Sequence, residues 1–86
     1  MLAEIIVAAA IASPQNLSTG ELQKYYWDCD TMFMKGELGG QDMWSCLAIT
    51  DELKQRMWND DHSKFVQWWR ERRHREWGKR GYVHRP

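Results

Sequence analysis

An all-α fold is what this chain predicts, and three observations carry it. Apolar residues recur at steps of three and four on both sides of a glycine-rich break. Good N-cap residues precede the first and last of the periodic stretches. One cysteine stands on each side of the break, Cys29 seven residues before Gly36 and Cys46 six residues after Gly40. Helices rise equally per residue, so two arms folded back at the glycines bring both sulfurs to one height. The expected architecture is a helical hairpin, about 19–35 and 41–58, with a third helix at about 61–77 and a short apolar N-terminal segment.

Eighty-six residues make one domain. A chain this short buries a small share of its surface and commonly needs a staple. Six tryptophans partly offset the scarcity of aliphatic residues beyond the N-terminus.

Residues 1–12 form the apolar segment. It is too short to cross a bilayer, which takes roughly 20 residues as a helix. It reads either as the back half of a secretory signal or as a short Ala/Ile-rich helix. Ala10, Ile11 and Ala12 fit the small-x-small cleavage pattern, but Glu4 occupies a place where a signal carries a cation. Residues 13–20, with Pro14, Asn16 and Gly20, read as a linker into a single helical domain over 21–78. Residues 79–86 read as a basic tail.

Ser18 and Glu21 have capping-box spacing. The helix they open carries Leu22, Tyr25, Tyr26, Cys29, Met32 and Phe33 as one stripe, with Trp27 beside it. Gly36 is placed to end it, and Gly39 and Gly40 supply the turn. The second stripe is Met43, Cys46, Leu47, Thr50, Leu53 and Met57, with Ile49 and Trp44 to its sides. Asn59, Asp60 and Asp61 break the pattern, and the run supplies an N-cap for the third helix. Trp68 and Trp69 point about 100° apart there, so one packs inward and the other lies at an edge. Gly78 and Gly81 are the expected stop.

A disulfide between Cys29 and Cys46 closes a loop of about 17 residues, worth roughly 3 kcal/mol by chain entropy. The alternative is a pair of buried thiols acting as small hydrophobes. Oxidised pairs persist in exported proteins, so the bridge and the signal-like segment point to the same compartment.

Catalytic chemistry finds little footing. Cys29 sits between Asp28 and Asp30, whose charge disfavours a thiolate. The gaps separating Cys29, Cys46, His62, His74 and His84 lack the short paired spacing of zinc ligands. Asp60, Asp61 and His62 resemble an acid–base cluster, yet a helix N-terminus attracts Asp for capping alone. No phosphate loop or nucleophile elbow is present.

Charge is uneven. The net is zero, which argues against a dedicated polyanion binder, but residues 70–86 hold seven Lys/Arg against two Asp/Glu. Arg70, Arg72, Arg73, Arg75, Lys79 and Arg80 are the candidate basic binding end, able to grip phosphates or acidic groups. Trp68, Trp77 and Tyr82 are the candidate aromatic edge. The competing account has the cations serving the helix C-terminus and the indoles widening the core.

The functional expectation is a small, non-catalytic helical binding protein, exported and stapled by its disulfide. Its partner is a protein, with no small-molecule cofactor, no metal and no membrane contact in the mature form. The alternative is a cytosolic regulator that meets nucleic acid, or a nucleic-acid-processing protein, through the basic helix.

Overall fold

Ser18 and Glu21 close the predicted capping box. The Ser18 hydroxyl accepts the Glu21 N–H at 3.1 Å, and the Glu21 carboxylate accepts the Ser18 N–H at 2.9 Å. Hydrogen bonding to Ser18 holds the Glu21 carboxyl below its ordinary range. The computed structural model describes residues 13–84. The signal-like segment and the last two residues of the tail lie outside them.

All regular structure among the described residues is helical: α1 (Thr19–Lys35), α2 (Gly40–Trp58) and α3 (His62–Lys79), preceded by a 3-10 turn at Pro14–Asn16. Gly36 ends α1 in the left-handed region, at φ 73°, and the Glu37 N–H reaches back to the Met32 carbonyl at 2.9 Å. Asn59 and Asp60 end α2 with positive φ, a conformation that short polar side chains tolerate. Asp61 then caps α3 by accepting the Lys64 N–H at 3.2 Å. Gly78 does not stop α3. It stays helical, and the chain turns at Gly81, where φ is 82°.

α1 and α2 form the hairpin, and α3 lies against both. The Cys29 and Cys46 sulfurs sit at bonding distance, with Cα atoms 5.8 Å apart, inside the span a bridge requires. Leu22, Ile49 and Leu53 are fully buried at the centre. Tyr26, Trp27 and Trp68 surround them, with neighbouring ring centroids 5.0–5.6 Å apart.

Both inward faces are rotated from the expected stripes. In α1, Trp27 and Thr31 are buried, whereas Phe33 is 57% exposed. In α2, Ile49 is buried and Leu47 is 48% exposed. The stripes assumed one neighbour per helix, and α3 provides α1 with a second, so the buried arc turns toward both. Thr31 tolerates burial because its hydroxyl donates to the Trp27 carbonyl at 2.7 Å.

Residues 13–20 are not a free linker. Leu17 and Pro14 are buried, and the Arg56 guanidinium of α2 donates to the carbonyls of Leu17 and Gln15. Glu52 accepts from the same guanidinium at 2.9 Å and holds it in place.

Candidate functional site

The basic end of α3 is partly knit into the fold, through Arg72, Arg73 and Arg80, while Arg70, Arg75 and Lys79 stay exposed. Arg80 donates to Asp28 on α1 at 2.7 Å and to Glu76 at 3.0 Å, and a further N–H lies 3.5 Å from the Lys24 carbonyl. Burial alone would lower the Arg80 pKa, but the two carboxylates outweigh it and raise it. Burial likewise works to raise Glu76, yet Arg80 and Lys79 hold its carboxyl below the ordinary range. Arg72 lies over the Trp68 ring and near Glu71, and Arg73 stacks 4.7 Å from the Trp69 centroid. Arg75 and Lys79 pair with Glu76 at 3.7 and 3.2 Å. Arg70 is exposed on the outer side of the helix.

The expected aromatic edge of Trp68, Trp77 and Tyr82 is not at the surface. Trp68 is 8% exposed and Trp77 only 2%. Tyr82 is half-buried, packed edge-on against Trp77 at 5.4 Å, with its N–H bonded to the Trp77 carbonyl. The start of the basic tail is therefore docked, and the Lys35 ammonium holds the Arg80 carbonyl at 2.9 Å. His74 and His84 complete the ring around Trp77.

Asp30 explains how these indoles are tied down. One carboxylate oxygen accepts the Trp69 N–H at 3.0 Å and the Trp77 N–H at 2.8 Å. A buried indole requires such an acceptor. The same carboxylate, together with burial as the larger cause, pushes the Tyr26 phenol far above its usual range. In the sequence Asp30 figured only as a charge beside Cys29. Only the return of α3 along α1 shows its use.

The apolar surface lies elsewhere, around the turn end of the hairpin. Trp44 is 76% exposed and Leu47 48%, neighbours on the outer side of α2, with Phe33 exposed one turn beyond Cys29 on α1. Trp44 was legible in principle: two residues from Cys46 it points about 160–200° away around the helix, opposite the bridged face. Of the nearby acids, Asp51 follows Leu47 on the same side of α2, and Glu37 and Asp42 lie at the turn end of the hairpin. Glu37, Asp42 and Asp51 are exposed, and among the described residues none carries an ion pair.

Among the described residues no three His, Cys, Asp or Glu side chains group to hold a metal ion, and no buried side-chain polar atom lacks a partner. A shallow groove on α3 is lined by His62, Ser63, Val66, Gln67, Arg70 and Glu71, all from one helix face. None of the described helices is long and apolar enough to cross a membrane. Comparison with known proteins gives no match: no family model fits the chain, and neither a curated protein nor a solved structure is similar to it.

Proposed function

We propose that this protein is a non-catalytic binding module that meets a protein partner through the Trp44 side of its hairpin, in an oxidising compartment. One observation carries the reading. Three of the other tryptophans are buried and the remaining two partly so, while Trp44 stands 76% exposed beside Leu47. Fully burying a large apolar side chain is worth about 1.5–3 kcal/mol, and exposed indoles in that setting are frequent anchors of interfaces. The Cys29–Cys46 bridge ties the two helices near this surface, so the anchor is held by a rigid support. Export follows from the bridge and from the signal-like N-terminus as an expectation. The basic end supports a binding role less well, because Arg72, Arg73 and Arg80 are engaged by rings or carboxylates of the same chain.

Site-specific photocrosslinking tests this. A photoreactive residue replacing Trp44, in the organism that makes the protein, is expected to yield a discrete adduct. The same probe at Gln55, exposed farther along α2, serves as the control. If position 44 gives no more adduct than position 55, this surface is not where the protein binds.

A further inference from the structure

We infer that the Trp44 surface receives a basic amphipathic segment of another protein, one that sets large apolar side chains between Lys or Arg. The inference rests on the binding role proposed for this surface and specifies the partner's chemistry.

Trp44, Leu47 and Asp51 follow one another at steps of three and four, so they form a single outer stripe of α2. The stripe is about 10 Å long at 1.5 Å per residue, a length that two or three turns of a partner helix cover. Asp51 on the stripe, and Glu37 and Asp42 at the turn end of the hairpin, are in no ion pair among the described residues, and Lys54, one turn beyond Asp51, is turned to His62 and the Phe65 ring. Between residues 31 and 51 the sequence has Glu37, Asp42 and Asp51 but a single cation, Lys35, and the Lys35 ammonium is already engaged by the Arg80 carbonyl. Elsewhere the pattern is the reverse: Asp28, Glu52 and Glu76 each hold an arginine of the same chain. Asp42 has a local use, since the first turn of a helix favours an anion, but Glu37 and Asp51 have none in the fold. An apolar stripe that runs into the unpaired Asp51, at a hairpin end whose other exposed acids are Glu37 and Asp42, fits an occupant of opposite charge, which it also steers on approach.

The same charges argue against other occupants. A second copy docked symmetrically would set Glu37, Asp42 and Asp51 against themselves. Nucleic acids and anionic lipid surfaces are repelled. Residues 2–12 of this chain are apolar but contain Glu4 and no Lys or Arg.

Titration of the isotope-labelled, oxidised protein tests the inference. Two synthetic 18-residue amphipathic helices serve as probes, one built from Leu and Lys and the other from Leu and Glu. The Leu/Lys peptide is expected to bind at least tenfold more tightly, shifting the resonances of the Trp44 indole and Leu47. Trp44→Ala should weaken it at least tenfold. Replacing Glu37, Asp42 and Asp51 by Gln, Asn and Asn should weaken it severalfold and flatten its salt dependence. Equal affinity for the two peptides, or Leu/Lys binding that Trp44→Ala leaves unchanged, overturns the inference. So does a dimer in sedimentation that Trp44→Ala abolishes, or partition of the protein into phosphatidylcholine vesicles through Trp44. A crosslinked adduct at position 44 without any Leu/Lys preference removes the basic partner and leaves the binding role standing. Absence of both removes the two together.

Discussion

Trp44 and Trp77 are the same residue type at opposite extremes, one 76% exposed and the other 2%. Their neighbourhoods invert what each stretch suggests by composition. The end of α3, crowded with arginine, looks like open surface, yet Arg80 reaches inward to Asp28 and Glu76, and Arg72 and Arg73 lie over tryptophan rings. The hairpin, read as core, leaves Trp44, Leu47 and Phe33 in water. A basic run is therefore not a binding site until its counter-charges have been located. An apolar residue is not core until its phase on the helix has been fixed.

The largest effect expected from breaking this contrast is at Trp77. Trp77→Ala removes a buried indole from the ring formed by Trp69, Tyr82, His74 and His84, and should cost about 3–5 kcal/mol in chemical denaturation. A loss below 1 kcal/mol would mean the α3 end is not packed in solution. Reduction of Cys29–Cys46, or the double change to Ser, should cost roughly 3 kcal/mol by freeing the unfolded chain. Melting with and without reductant reads this directly, and intact mass reports whether the bridge is formed. Asp30→Ala should cost about 1–3 kcal/mol, because two indole N–H groups lose their only shared acceptor. Asp30→Asn, which keeps a carbonyl oxygen, should lose less. If the two variants are equally stable, the shared acceptor is not what holds the indoles.

A smaller effect is expected from the carboxylate on Arg80. Glu76 titrates below the ordinary value of 4.5 in the folded chain, so the unfolded state takes up its proton first as pH falls. Its contribution is complete above that value and disappears as pH drops through the depressed one. Arg80→Met should therefore flatten the acid limb of the stability curve below the ordinary carboxylate value of 4.5. An unchanged slope would show that the pair does not persist in solution.

The helices were legible because their signals are local. Ser18 with Glu21, Gly36 and Asp61 act within one turn of the backbone, and the bridge needed only equal arm lengths. What escaped the sequence depends on where α3 lies. Asp30 and Arg80 are ordinary solvated residues until α3 runs beside α1. The burial of Trp27 and Thr31 needs a second neighbour that no single stripe can reveal. Residues 13–20 escaped because their partner is equally distant in sequence, though on α2: Pro14 and Asn16 signal a turn, and nothing local indicates that Arg56 will hold it. Trp44, read at the side of its stripe, is the exception: its angle from Cys46 was enough to place it outward, and that signal was local.

That exception supplies the smallest and sharpest test. Trp44→Ala removes an indole that makes no ring contact with another aromatic residue among those described, and alanine is the better helix former. Folding stability should stay within about 0.5 kcal/mol of the parent, as for most surface changes away from special features. The same change should abolish the position-44 interaction with a partner. Such a split, stability unmoved and binding lost, cannot come from a core residue, where both would fall together. A loss of more than 1 kcal/mol would place the Trp44 ring in a packed environment and return it to the same class as Trp77. The binding surface would then have to be sought elsewhere, at the few cations of α3 that face outward, Arg70 first among them.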